Sequence, residues 1–178
     1  MTGDKMNIYF GFSTSTLPLS YVARWLMRSK ASHTFLLIEL GFIKLVLEAS
    51  FGGVKVTPYE KWKKHSKLTH LFALEKRRDE SQINAALAEA FSIVGTKYDY
   101  PGYFGFLPVY IMRWFGKKIR NPFGSASSMA CSEFVVQVRE ELEIQSWMHF
   151  DAESTSPQDI IEVCEKSDEF VTVPFPRL

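Results

Sequence analysis

The sequence has few cysteines, no strong excess of charge and no long hydrophobic run, and each lack excludes a class of protein. Two cysteines in 178 residues cannot form the disulfide framework of a small secreted domain. Lys and Arg number 21 against 20 Asp and Glu, a net charge of +1, so the overall charge does not favour nucleic acid as a partner. We therefore expect free thiols and no nucleic-acid binding.

Hydrophobic runs are too short for a membrane span. The longest is YFGFLPVYIMRWF at residues 103–115, shorter than the ~20 apolar residues that a bilayer requires and interrupted by proline and arginine. The N-terminal MTGDKMNIYFGF has neither the basic start nor the apolar core of a secretory signal. These features predict a cytoplasmic protein.

Hydrophobic patterns predict a mixture of strands and helices. NIYFGF and KLTHLFALEK are typical of strands, SHTFLLIELGFIKLVLEAS of a β-hairpin, and DESQINAALAEAFSIV of a helix. In STSPQDIIEVCEKS, Ser156 suits the N-cap and Pro157 the first position of a further helix. We predict one α+β domain over residues 1–178, with an antiparallel sheet of about five or six strands packed by helices and an aromatic-rich insert at about 101–124.

Cys131 begins a predicted helix, after the small residues of GSASSMA. A thiol at a helix N-terminus lies near the positive end of the helix dipole, which stabilises thiolate and lowers the pKa. The alternative is a small buried hydrophobic residue, since free cysteine is among the most buried residue types. Cys164 lies on the apolar face of a helix and is assigned to packing.

His33 is the histidine that the pattern connects to a carboxylate. If Leu40-Gly41 is a two-residue turn, paired positions sum to 81 and His33 lies directly opposite Glu48. A carboxylate there would orient the imidazole, as the third member of a Cys-His-acid site does. An ion pair on the strand surface is the alternative. This register pairs Thr34 with Leu47, Leu36 with Leu45 and Ile38 with Ile43, and leaves Glu39 and Lys44 on the His33 face.

The sequence contains no HExxH, no CxxC and no glycine-rich phosphate loop, so we predict no metal site and no cofactor. A basic run, Lys61, Lys63, Lys64 and Lys67 around Trp62, is most simply a solvated helix face. An alternative is peripheral membrane contact through Trp62 and Trp114 with flanking basic residues such as Lys117.

Five short motifs, in this order, resemble a known family: SHTFLLIE, VLEASFGGVKVTPYEKW, GTKYDYPG, CSEFVVQV and TSPQDI. The chain resembles the circularly permuted branch of the NlpC-type papain-like amidases, the YiiX-like proteins, with lecithin:retinol acyltransferase as a more distant relative. Ordinary papain-like enzymes present the cysteine before the histidine, and the permuted branch presents the histidine first. The resemblance covers roughly Phe10 to Pro157.

The resemblance implies a permuted papain-like fold and a role for each matched residue. Cys131 would be the nucleophile, His33 the general base and then acid, and Glu48 the residue that orients His33. Family members often use a tyrosine near the nucleophile, which matches Tyr98 as an oxyanion or substrate-positioning group, with Asp99 as the alternative.

The substrate stays open at this level. The resemblance and the site residues predict a thiol hydrolase that cleaves a peptide, N-acyl amide or ester bond through an acyl-enzyme. An acyltransferase acting on lipid or amine substrates and a non-catalytic peptide- or lipid-binding module are the alternatives. Tyr103, Phe104 and Phe106 of the aromatic segment could bind an apolar part of the substrate, or could pack over the sheet edge.

Overall fold

A six-stranded antiparallel sheet forms the centre of the protein, and its strands lie side by side in the order Gly53–Pro58, Ile43–Ser50, His33–Leu40, Met6–Thr14, Lys67–Leu74 and Phe170–Thr172. The computed structural model describes residues 6–15, 18–98, 108–109, 111–112, 114–117, 119, 128–129, 131–151 and 155–174. The α+β class and the predicted number of strands are confirmed. The strands are β1 (Met6–Thr14), β2 (His33–Leu40), β3 (Ile43–Ser50), β4 (Gly53–Pro58), β5 (Lys67–Leu74), β6 (Lys97–Tyr98), β7 (Ser128–Met129) and β8 (Phe170–Thr172).

Five α-helices are described beside the strands, and two of them begin with the reciprocal hydrogen bonds of a capping box. Asp79 caps one with Gln82, and Ser156 caps another with Asp159, with Pro157 in the first turn as predicted. β6 and β7 form a separate parallel pair. The helices are α1 (Pro18–Met27), α2 (Tyr59–Trp62), α3 (Glu80–Ser92), α4 (Cys131–Gln137) and α5 (Pro157–Lys166).

Both faces of the central strand β2 are buried. Leu36 and Ile38 belong to the larger core, which includes Phe134 of α4. On the opposite face, Phe35 packs in a smaller cluster with Trp62 of α2. α4 and α2 therefore cover opposite faces of the sheet region that carries His33.

The turn of the β2–β3 hairpin lies one residue later in the sequence than predicted. The two central turn residues are Gly41 and Phe42, so Leu40 pairs with Ile43 and Leu36 with Leu47. Gly41 has a φ of 58°, whereas Phe42 has no positive φ, which is the pattern of a type II′ turn with glycine first. The predicted Leu40-Gly41 turn is wrong because glycine is favoured at the first central position, and Leu40 occupied it in the prediction.

That shift changes the partner of each residue but not its face. Paired positions sum to 83 instead of 81, and a change of two residues preserves the alternation of a strand. Glu48 is therefore a diagonal neighbour of His33 on the same face, and diagonal neighbours are within reach of long side chains. Glu39 and Lys44 form a direct pair.

Gly11 of β1 provides room for an aromatic ring that supports the site. It lies directly across from Phe35, and a Cβ at Gly11 would overlap the Phe35 ring. That ring stacks on His33 with centroids 6.3 Å apart and lies 4.5 Å from the Trp62 ring. A glycine in the interior of a strand, usually unfavourable, is explained here by close packing.

We predict that Gly11→Ala lowers the free energy of unfolding by about 1–3 kcal/mol, because the Phe35 ring must move to admit the methyl group. Urea denaturation measures the change. The same substitution in a Phe35→Leu background should cost less. An equal cost in both backgrounds would show that the contact with Phe35 is not the reason for the glycine.

Candidate active site

The structure brings Cys131, His33 and Glu48 together. Cys131 is the first residue of α4, His33 the first of β2, and Glu48 lies near the end of β3. The β2–β3 ladder ends at Leu36, whereas β3 continues to pair with β4 through Ser50. The site thus lies just beyond the last residue pair between the two hairpin strands.

Glu48 receives four polar contacts on its two carboxylate oxygens. His33 Nε2 lies 2.8 Å from Oε2, and Trp62 Nε1 donates to the same oxygen at 3.0 Å. Ser50 Oγ donates to Oε1 at 3.1 Å, and Lys55 Nζ lies 3.6 Å from Oε1. With its side chain only 8% exposed, the carboxylate is both buried and fully engaged, which confines the imidazole to one orientation.

The ionisation of Glu48 and His33 is coupled. Burial raises the pKa of Glu48, but the hydrogen bond and charge of His33, the Trp62 N–H and the Lys55 charge outweigh it and lower the pKa to about 2. Burial lowers the pKa of His33, but hydrogen bonds to Cys131 and Glu48 and their negative charges raise that pKa to about 10. Both directions favour a carboxylate beside an imidazolium at neutral pH.

Cys131 ionises more readily than an ordinary thiol. Burial opposes its ionisation, but the hydrogen bond and charge of His33, together with backbone contacts to Thr34 and Ser132, hold the pKa of Cys131 below its usual range. Because His33 Nε2 faces Glu48, Nδ1 is the ring nitrogen left for the thiol. Cys164 is also buried, and there burial raises the pKa, in agreement with its predicted packing role.

A cleft of about 460 Å³ opens beside His33 and Glu48. Half of the sixteen residues described in its lining are serine or threonine, and Lys55 and Lys61 add ammonium groups. The accessible surface of the cleft is nevertheless mostly apolar, so it combines apolar walls with a few hydroxyl and ammonium groups, as ligand-binding clefts commonly do. The hydroxyl residues are Ser13, Thr14, Ser15, Ser20, Ser32, Ser50, Thr57 and Ser66.

The other predicted site residues divide into two groups. Tyr98 is buried, lines the cleft and stacks on Phe51 with centroids 5.9 Å apart, a placement compatible with substrate positioning. Asp99 and the predicted substrate-binding residues lie outside the residues that the structure describes. The latter are Tyr103, Phe104 and Phe106, within the insert at about 101–124.

Trp62 is the site residue whose role the sequence did not indicate. The alternative of a membrane contact through Trp62 is wrong, because its side chain is only 5% exposed and its Nε1–H donates to Glu48. The lysines around it, Lys61, Lys63 and Lys64, are exposed as expected. The buried residues of α2 are Tyr59 and Trp62. Residues three apart lie on the same side of a helix, so their spacing in the sequence could have indicated that both face inward.

The fold is similar to that of a solved structure. The metalloprotein YiiX from Escherichia coli O157:H7 (DUF1105) superposes with a TM-score of 0.64 over 97% of both chains, at 19% sequence identity. At the level of the fold, this likeness confirms the YiiX-like resemblance. No protein-family model and no curated protein matches the chain.

The donor groups in the site do not fit a metal ion. Within the described part of the chain, no three His, Cys, Asp or Glu side chains are close enough to hold one together. Glu48 engages one ring nitrogen of His33 and leaves the other, on a different edge of the ring, for the thiol. The three side chains therefore do not converge on a single position that a metal ion could occupy.

We predict that iodoacetamide alkylates Cys131 near neutral pH at least about tenfold faster than Cys164, because a lowered thiol pKa increases the thiolate fraction. Mass spectrometry of the two cysteine peptides measures both rates in the folded protein. Ser132→Ala is the matched control and should leave the alkylation rate of Cys131 unchanged. The Ser132 hydroxyl donates to the Thr155 carbonyl oxygen and is not a charge partner of the thiol. Equal, slow rates at both cysteines would contradict an activated Cys131.

Trp62→Phe keeps an aromatic ring against Phe35 but removes the N–H that binds Glu48. We expect the free energy of unfolding to fall by about 1.5–3 kcal/mol, the usual contribution of a hydrogen bond to a charged group. The pH midpoint of Cys131 alkylation should also rise, since a less stabilised carboxylate orients His33 less well. Trp25→Phe, at a tryptophan that is 66% exposed, is the control, and equal effects of the two variants would refute the role of Trp62.

Proposed function

We propose that the chain is a thiol hydrolase with the circularly permuted papain-like (NlpC-type) fold, acting on amide or ester bonds through Cys131, His33 and Glu48. The observation that carries the proposal is the imidazole of His33, held 2.8 Å from the Glu48 carboxylate and hydrogen-bonded to a thiol whose pKa is lowered. A nucleophile, a base and an orienting acid in contact are the arrangement that covalent catalysis requires.

The first step is acylation of Cys131. The thiolate sulfur attacks the carbonyl carbon of the substrate, and the carbonyl electron pair moves to the oxygen. The Cys131 backbone N–H and the Tyr98 hydroxyl are the donors that we assign to this oxyanion. His33 then gives its proton to the leaving amine or alcohol as the carbon–nitrogen or carbon–oxygen bond breaks, which leaves a thioester on Cys131 and a neutral imidazole.

The second step releases the acyl group. Neutral His33 removes a proton from water, the resulting hydroxide attacks the thioester carbonyl, and the acid leaves as the thiolate and the imidazolium re-form. An alcohol or amine acceptor in place of water would make the enzyme an acyltransferase by the same proton transfers. The cleft offers apolar surface together with hydroxyl groups, which suits a peptide or N-acyl amide substrate that has both apolar and polar parts.

Acylation by a p-nitrophenyl ester tests the proposal directly. The protein should gain the mass of one acyl group on the Cys131 peptide, and added hydroxylamine should compete with water for the acyl group. Cys131→Ser should lower the rate of p-nitrophenol release by at least about 10³-fold, whereas Cys164→Ser should not change it. Unchanged release by Cys131→Ser would favour the alternative, a binding module that keeps the fold without catalysis.

Glu48→Gln tests the electrostatic part of the mechanism. The pKa of His33 is raised partly by the Glu48 charge, so loss of that charge destabilises the imidazolium and, through it, the Cys131 thiolate. We expect the acid limb of the acylation rate to move to higher pH by about 1 unit or more, given the 1–3 units typical of an adjacent opposite charge.

The matched control is Glu39→Gln, which changes a carboxylate on the same strand face that binds Tyr9 and Lys44 instead of a histidine. Its pH profile should match that of the unmodified protein. If Glu39→Gln and Glu48→Gln shift the profile equally, the effect arises from overall charge and the orienting role of Glu48 is wrong.

A further inference from the structure

Two segments of the chain lack acidic residues, and the structure brings them into contact. No Asp or Glu occurs at residues 5–38 or 100–132, and each segment contains four Lys or Arg. The rings of Trp25 and Trp114, one from each segment, lie edge to face with centroids 5.0 Å apart. At this contact the described cationic groups are Arg24 and Arg28, which lie against the Tyr21 and Trp114 rings.

The helix α1, in the first of these segments, exposes aromatic side chains. Ser20 is buried, with its hydroxyl 2.6 Å from that of Ser32 and 3.0 Å from that of Thr14. Tyr21 and Trp25, one helical turn apart, are 55% and 66% exposed. A surface helix normally turns its apolar residues inward, so two exposed aromatic rings one turn apart indicate an apolar partner for that face.

The exposed residues form a surface that we call the aromatic face. Arg24 lies over the Tyr21 ring at 4.6 Å and Arg28 over the Trp114 ring at 5.3 Å, so cationic groups are interleaved with the rings. The aromatic face consists of Tyr21, Val22, Trp25, Ile111, Trp114 and Phe115, whose exposures range from 38% at Ile111 to 76% at Phe115.

We propose that the aromatic face docks on the surface of an anionic lipid bilayer. Tryptophan and tyrosine prefer the membrane–water interface, and arginine can bury its stem among acyl chains while its head reaches a lipid phosphate. The guanidinium groups of Arg24 and Arg28, interleaved with the rings, complement an anionic leaflet. In the described part of the chain, no helix is long and apolar enough to cross a bilayer, so this is contact with one leaflet.

Docking would place the candidate site at the bilayer. Ser20 of α1 lines the same cleft as His33 and Glu48, so one side of the helix faces the cleft while the aromatic face is turned outward. The proposal uses no chemistry of Cys131 and is independent of the proposed hydrolase activity. Cys131→Ser should therefore bind vesicles as well as the unmodified protein.

Sedimentation with lipid vesicles tests the proposal on the full chain. The protein should bind phosphatidylcholine vesicles that contain phosphatidylglycerol, and bind pure phosphatidylcholine vesicles much more weakly. Trp25→Ala should weaken binding at least about tenfold, because the ring is no longer buried in the interface. Arg28→Glu should weaken it by more than the roughly fivefold expected for loss of one positive charge.

Two control variants separate the aromatic face from surface properties in general. Phe42→Ala removes a ring that is 91% exposed at the far end of β2, and Lys64→Glu reverses an exposed charge in the basic run after α2. Both should retain binding.

Absence of binding to anionic vesicles would overturn the proposal, as would binding that Trp25→Ala leaves intact or that the controls weaken equally. Light scattering that shows a Trp25-dependent dimer without vesicle binding would identify a second copy of the chain as the occupant instead. Circular dichroism of each variant confirms that loss of binding is not loss of folding.

Discussion

The hydrogen bond between His33 and the buried carboxylate of Glu48 is the interaction on which the site depends. A buried carboxylate is stable only when donors satisfy it, and His33, Trp62, Ser50 and Lys55 do so here. These partners come from β2, α2, β3 and β4, so the site assembles only when these elements pack together. The same contacts that stabilise the fold in this region also set the charge of the imidazole.

Strand alternation explains why the site could be predicted from a wrong register. The turn was misplaced by one residue, which moved every cross-strand partner by two and left each side chain on its face. To place His33 and Glu48 on one face of the sheet, the prediction needed only the correct alternation of side chains, and not the correct partners. The two side chains meet across a diagonal of the ladder because the type II′ turn begins at Gly41. The Leu-Gly pair in the sequence did not show which of its two residues comes first in the turn.

Long-range packing determined what the sequence left open. Trp62 follows lysine in a strongly basic run, and local composition there indicates a solvated helix, whereas tertiary contact with Phe35 and Glu48 buries the ring. The exposed aromatic pair of α1 was similarly hidden, because apolar residues at helical spacing predict a helix without saying which of them face the core. The pairing of His33 with Cys131 came from the family resemblance, since no local pattern connects two residues so far apart in the sequence.

At neutral pH we expect His33 to be an imidazolium that stabilises the thiolate form of Cys131. A nuclear magnetic resonance titration of the imidazole signals, assigned with a His33→Gln variant, measures this most directly. The account predicts that the His33 ring stays protonated through neutral pH and loses its proton only near pH 10, whereas in Cys131→Ala it loses the proton at lower pH because one negative partner is gone. A His33 ring that titrates near the ordinary value of about 6.5 in both proteins would contradict the account.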